Sequence, residues 1–208
     1  MQSEQTLRFG GISRLYGEQA LACLRQAHVG VIGLGGVGSW AVEALARTGI
    51  GNLTLVDMDE ICVSNVNRQL HALEGAIGRS KAEVLAERVR AINPSCRTRA
   101  INRFFRQESA EAILAAGYDC VIDAIDSVRE KCLLIAACRE HHIPLIVTGG
   151  AGGRRDPGRI EVADLARAHG DRLLRKVRGE LRRTYGFPRS GRRFGIECVF
   201  SGEQPSWP

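Results

Sequence analysis

An α/β fold with a mostly parallel sheet and helices on both faces is predicted by three features of the chain. Short apolar runs alternate with stretches of helical periodicity over most of the 208 residues. The first run, 28–32, opens into Gly33-Leu34-Gly35-Gly36-Val37-Gly38. That spacing permits a tight turn, a close backbone approach to a phosphate, and close packing of the next helix on the sheet. Asp57 ends the second run, 19 residues after Gly38, where a carboxylate can accept hydrogen bonds from ribose hydroxyls. The combination is Rossmann-like.

The elements follow in order. Strands are expected near 28–32, 53–57, 97–101, 119–124 and 144–148. Residues 36–48 place Val37, Trp40, Ala41, Ala44 and Leu45 at helical spacing, and residues 80–93 do so with Val84, Leu85, Val89 and Ile92 before Asn93-Pro94 ends the run. A third helix is expected over 128–142. Thr148-Gly149-Gly150-Ala151-Gly152-Gly153 reads as the internal boundary. It divides a nucleotide-binding domain, 1–150, from a basic C-terminal segment, 151–208, with a short apolar alternation at 159–162 and a helix from about 164 to 185.

Composition limits the function classes. With 44% hydrophobic and 25% charged residues, the chain can bury a core as an ordinary globular protein. The start Met1-Gln2-Ser3-Glu4-Gln5 lacks a secretory pattern and no run approaches 18 apolar residues, so a cytoplasmic protein is expected. Seven cysteines without a C-x-x-C pair suggest neither a disulfide framework nor a zinc site. The net charge of +6 arises after residue 150: 16 Lys/Arg balance 16 Asp/Glu before that point, against 13 and 7 after it. Nine basic residues and one acidic residue lie between Arg172 and Arg193. Such a strip is either a solvated helix face or the docking face for an anionic macromolecule. Arg175, Lys176, Arg178, Arg182 and Arg183 are its candidate phosphate contacts.

The candidate site residues carry more charge than a dinucleotide needs. Glycine amides and a helix N-terminus can hold a pyrophosphate, whereas ATP brings about four negative charges and recruits Mg2+ and cations. Arg68 and Lys81 are candidates for that charge and Asp126 for the metal. Asp57 and Asp59 either bind the nucleotide or cap the turn after a strand. Asn65 and Arg68 would share a helical face and so one ligand, with a surface salt bridge as the rival role for Arg68. Lys81 opens a helix, a placement that suits an anion in front of it but also fits a solvated lysine. Asp123 and Asp126 follow Cys120-Val121-Ile122 at the carboxyl end of a strand, where open α/β sheets bind ligands. The five histidines show no ligand spacing.

Gly33-Leu34-Gly35-Gly36-Val37-Gly38-Ser39, Asp57-Met58-Asp59, Ser64-Asn65-Val66-Asn67-Arg68-Gln69, Lys81 and Asp123-Ala124-Ile125-Asp126 resemble the adenylation domain of ubiquitin-activating-type enzymes, which includes the sulfur-carrier adenylyltransferases. Over the whole chain, Arg8-Phe9-Gly10-Gly11-Ile12-Ser13-Arg14-Leu15-Tyr16-Gly17, Ala46-Arg47-Thr48-Gly49-Ile50-Gly51, the segments 121–129 and 148–153, and Cys198-Val199-Phe200-Ser201 resemble the tRNA threonylcarbamoyladenosine dehydratase branch. The resemblance implies an ATP- and Mg2+-dependent, ligase-like ring closure. The threonylcarbamoyl carboxylate on the adenosine beside the anticodon is adenylated, and an atom of the same modification displaces AMP.

Carried over residue by residue, the resemblance assigns Gly33, Gly35, Gly36 and Gly38 to the phosphates and Asp57 with Asp59 to the nucleotide. It assigns Asn65, Arg68 and Lys81 to the triphosphate and Asp126 to Mg2+. Arg68, Lys81 and Asp126 are then the catalytic set. It also implies a homodimer, tRNA as partner and sulfur-transfer proteins as further partners. The arginine that crosses the dimer in relatives falls at Gly11, leaving Arg8 or Arg14 as substitutes. The pattern continues beyond Pro208, so any membrane association would reside in a C-terminal tail outside this sequence. Other readings stand beside this one: an adenylyltransferase acting on a ubiquitin-like carrier's C-terminus, an NAD-dependent oxidoreductase, and a noncatalytic RNA-binding module.

Overall fold

The computed structural model describes residues 4–189 and 191–206, arranged as two compact units. The first comprises residues up to 103 with 117–119, the second residues 104–116 and those from 120 onward.

In the first unit, helices α1 (Glu4–Tyr16) and α2 (Glu18–Gln26) precede β1 (His28–Ile32). Helix α3 (Gly38–Thr48), β2 (Asn52–Val56), α4 (Lys81–Ile92) and β3 (Arg97–Ile101) complete it. The strands lie parallel in the order β3-β2-β1, with Ile32 level with Val56 and Val56 level with Ile101. All three therefore end at one edge, where ligands bind in such sheets. Val31, Leu55 and Leu85 are wholly buried among the apolar residues of this core. Gly49, with φ of +90°, ends α3 in the left-handed conformation that glycine adopts at little cost. Two residues on, a Cβ at Gly51 would collide with the carbonyl of Arg25 at the end of α2.

The second unit holds α5 (Gln107–Leu114), β4 (Cys120–Asp123), α6 (Val128–Glu140) and β5 (Leu145–Thr148). Strand β6 (Ile160–Asp164), α7 (Arg172–Thr184) and β7 (Glu197–Ser201) follow. Its strand order is β4-β5-β7-β6; the first three run parallel and β6 is antiparallel to β7. Ile135, Val147, Leu174, Val177, Leu181 and Cys198 form a fully buried centre.

The mostly parallel α/β class is as expected, and 28–32 and 97–101 are reproduced as strands. The helix expected over 164–185 is shorter. Asp164 ends β6 and accepts the amides of Ala166, Phe194 and Gly195, and Gly170 at φ of +67° turns the chain before α7 begins at Arg172. Helix α3 starts at Gly38 rather than 36, because residues 33–37 are used in the turn. The 150/151 boundary falls inside the second unit. Across it, Asp171 both caps α7 at Leu174 and accepts the Gly150 amide, tying the glycine loop to the helix.

Candidate active site

The glycine turn is built by β1 and β2 together. Gly33 adopts φ of +88° and donates its amide to Val56, extending the ladder by one rung. Asp57 then accepts Leu34 N–H at 2.7 Å through Oδ2 and Asp59 N–H at 2.8 Å through Oδ1. The capping role and the ligand role are thus compatible, since each carboxylate oxygen has a second lone pair. Helix α3 starts without a side-chain cap and without an acid in its first turn. Its N-terminus presents positive potential to an anion.

The segment 63–69 closes over this turn. A Cβ at Gly36 would lie 3.4 Å from Arg68 Cγ, and one at Gly35 would lie 3.8 Å from Gln69 Nε2. The small residues therefore let Arg68 and Gln69 pack against the loop. Val63–Asn65 forms one 3-10 turn, and Asn65 is buried with Oδ1 accepting Cys62 N–H at 3.0 Å. Arg68 is exposed, donates through Nη1 to Ser64 O and Asn67 Oδ1, each at 2.9 Å, and forms no ion pair among the described residues. Asn65 O accepts Arg68 N–H at 3.1 Å and Gln69 N–H at 2.9 Å, so the two residues Asn65 and Arg68 are one helical turn apart, but Asn65 is buried and Arg68 exposed.

Lys81 is the first residue of α4 and is buried, with Nζ 2.8 Å from Asp59 Oδ2. It is not the solvated lysine that spacing alone allowed. Two neighbours in the sequence were not foreseen. His71 is 1% exposed with neither ring nitrogen hydrogen-bonded, and Gln69 Oε1 is likewise buried without a partner. Burial first, and the Lys81 charge second, push the His71 pKa down to about 4, so the ring is neutral. A run of imidazole and amide groups left unpaired in a buried position was detectable only from the fold.

In the second unit the two aspartates after β4 separate. Asp123 is fully buried, 3.0 Å from Lys131 Nζ, and burial raises its pKa against the opposing pull of Lys131. Asp126 is exposed in the loop before α6 and makes no hydrogen bond or ion pair among the described residues. Lys131 carried no signal in the sequence, where it reads as one solvated position of a helix.

The basic strip is mixed. Leu174, Val177 and Leu181 are buried, and Arg175, Lys176 and Arg183 are exposed, the last paired with Glu180. Arg178 is half-buried, and burial lowers its pKa. Arg182 lies over the Phe194 ring at 5.2 Å and donates to Pro188 O at 3.2 Å. Of the five candidate phosphate contacts, Arg178 and Arg182 are thus partly buried or engaged within the protein. Arg8 donates to Ile92 O at 3.3 Å, and Arg14 is exposed beside Gly10 and Gly11. Cys198 is fully buried, and burial pushes its thiol up to about 12. No helix among the described residues is long and apolar enough to cross a membrane.

The glycine turn and the carboxylate at the end of β2, beside the buried Lys81 in its pair with Asp59, are the arrangement of a nucleotide-binding α/β protein. The model of the ThiF family matches residues 11–170. The chain is 52% identical over 202 residues to the tRNA threonylcarbamoyladenosine dehydratase of Escherichia coli, covering 97% of this chain and 75% of that one. It is 54% identical over 202 residues to the Haemophilus influenzae enzyme of the same name, covering 97% and 77%. The crystal structure of the Escherichia coli enzyme in complex with ATP superposes with a TM-score of 0.96 at 51% identity, over 100% of this chain and 86% of that one. The complex with AMP gives the same score and identity, with 85% of that chain covered. The chain belongs to the ThiF family, in its tRNA threonylcarbamoyladenosine dehydratase branch.

Proposed function

We propose that this protein catalyses the ATP-dependent dehydration of threonylcarbamoyladenosine beside the anticodon of tRNA. The carboxylate of the modification attacks the α-phosphorus of ATP, pyrophosphate leaves, and an atom of the same modification displaces AMP to close the ring. The observation that carries this reading is the 52% identity over 97% of the chain to an enzyme of that name, joined to the likeness to its ATP complex.

Gly33, Gly35, Gly36 and Gly38 approach the phosphates, and Asp57 with Asp59 shapes the nucleotide pocket. Arg68 and Lys81 stabilise charge that grows on phosphoryl oxygens as the carboxylate attacks. Support comes from the buried Lys81 ammonium and from Arg68, which packs on the glycine turn without a carboxylate partner. Asn65 braces the turn that carries Arg68. Asp126 fits Mg2+, because its carboxylate is exposed and uncommitted while Asp123 is consumed internally. Bound there, the ion would supply Lewis-acid stabilisation of the phosphoryl oxygens. The attacking atom of ring closure is already held beside the activated carbonyl, so no thioester is needed, in keeping with the buried Cys198.

The exposed residues Arg175, Lys176 and Arg183 contact tRNA phosphates. The protein acts as a homodimer, a reading supported by the large apolar side chains Val63, Val66 and Leu73, each more than half exposed. Mass spectrometry of tRNA nucleosides after incubation with the protein, ATP and Mg2+ tests the activity. The expected product is lighter than the starting nucleoside by one water and forms with AMP and pyrophosphate. AMP release that requires a carrier protein and leaves tRNA unchanged would overturn the reading.

A further inference from the structure

The loop that presents Asp126 is clamped from beneath by a lysine that takes no part in the chemistry above. Lys131 is 0% exposed on the first turns of α6, and its Nζ has three acceptors. These are Asp123 Oδ1 at 3.0 Å, Ile125 O at 2.9 Å and Asp123 O at 3.3 Å. An ammonium has three N–H donors, so the group is saturated. Asp123 Oδ1 in turn accepts Ile125 N–H at 3.0 Å, and Thr148 Oγ1 donates to Asp123 O at 3.0 Å. Both backbone polar groups of Ile125 are thereby fixed, one residue before Asp126.

A fully buried ion pair is an expensive way to fill a core, since well-packed apolar residues often serve stability as well or better. Two of the three bonds from Lys131 go to main-chain carbonyls at and within the loop, which an apolar side chain could not make. We infer that Lys131, seated on Asp123, is a positioning residue that holds the backbone of 123–126 so that Asp126 meets its ligand in a fixed orientation. The inference rests on the assignment of Asp126 to Mg2+ and goes beyond it, because it makes the metal affinity depend on a residue that never touches the metal. Partners that orient a metal ligand typically change affinity by about 10- to 100-fold when removed.

Lys131→Met keeps the length of the side chain but leaves the Asp123 carboxyl buried alone, so the fold itself is at risk. Asp123→Asn/Lys131→Met removes both charges while keeping an acceptor for Ile125 N–H. Full-length wild type, these two variants and Asp126→Ala are compared by thermal unfolding, by amide exchange across 121–128, and by ATP affinity as Mg2+ is titrated. The double variant is expected to recover the melting temperature, while its Ile125 amide exchanges faster and its Mg2+ requirement for ATP binding rises about tenfold or more. Wild-type exchange and wild-type Mg2+ dependence in a folded double variant would show that Lys131 merely balances Asp123, and the inference would fail. If Asp126→Ala leaves the Mg2+ dependence unmoved, the assignment of Asp126 fails instead, and amide exchange still judges the clamp.

Discussion

Arg68 and His71 are three residues apart and meet opposite fates, one open to solvent and one sealed from it. Because Arg68 is exposed and its side-chain hydrogen bonds stay within its own turn, Arg68→Ala should abolish formation of the cyclic nucleoside while changing stability by less than about 0.5 kcal/mol. Product analysis paired with a melting curve checks this, and undiminished product would remove Arg68 from the mechanism. His71 has the opposite signature. Its folded-state pKa of about 4 lies below the ordinary 6.5, so the unfolded chain binds the proton first as pH falls. Its contribution is whole above the unfolded value and is lost as the pH drops from about 6.5 toward 4, by up to about 3 kcal/mol. The unfolding free energy of wild type minus that of His71→Gln, followed by denaturant titration, should shrink across this window. A constant difference would mean that the ring titrates alike in the native and unfolded states.

Among the elements, α7 shows how one helix divides its charges. Leu174, Val177 and Leu181 anchor it, and Asp171 caps it, while the side chains of Arg175 and Lys176 are exposed and make no ion pair among the described residues. Replacing Arg175 and Lys176 with alanine should weaken tRNA binding and lower its salt slope by about one to two units, leaving ATP binding as it was. Arg182→Ala should instead cost about 1 kcal/mol of stability, since it loses the Phe194 ring and the Pro188 carbonyl. Binding isotherms at several salt concentrations distinguish the two, and an unchanged slope for the first variant would place the RNA elsewhere. The strands bounded by apolar runs and the three helices with clear periodicity were legible in the sequence. Helices α1, α2 and α5 were not. In α1 the apolar residues do not gather on one face: Leu7 and Leu15 are exposed and Phe9 is buried. Strand β7 escaped because Glu197-Cys198-Val199-Phe200-Ser201 is short and follows a glycine-rich basic stretch that reads as loop. At the candidate site, the glycines, Asp57, Arg68, Lys81 and Asp126 stand out in the sequence as candidates by type and spacing. The partnership of Lys131 with Asp123 was not, because burial of a helical lysine is decided by what packs over it.

At the scale of the whole molecule, the proposed homodimer draws on apolar side chains left outside the two cores. Val66 and Leu73 flank the segment that carries Arg68, and both are more than half exposed. Val66→Asp/Leu73→Asp should therefore yield monomers by light scattering and depress product formation, with melting little affected. A variant that remains dimeric with full activity would move the interface to another face.

The contact between Gly51 and the Arg25 carbonyl constrains which sequences this fold can reach. The peptide at the end of α2 occupies the volume of any side chain at position 51, and because the nearest atoms are all Arg25 main chain, no flexible group is there to yield. Neutral drift is therefore closed at this site even though it lies outside the chemistry. A library randomised at position 51 and sorted for soluble, active clones should return glycine alone, and the recovery of alanine would show that α2 can slide away from β2.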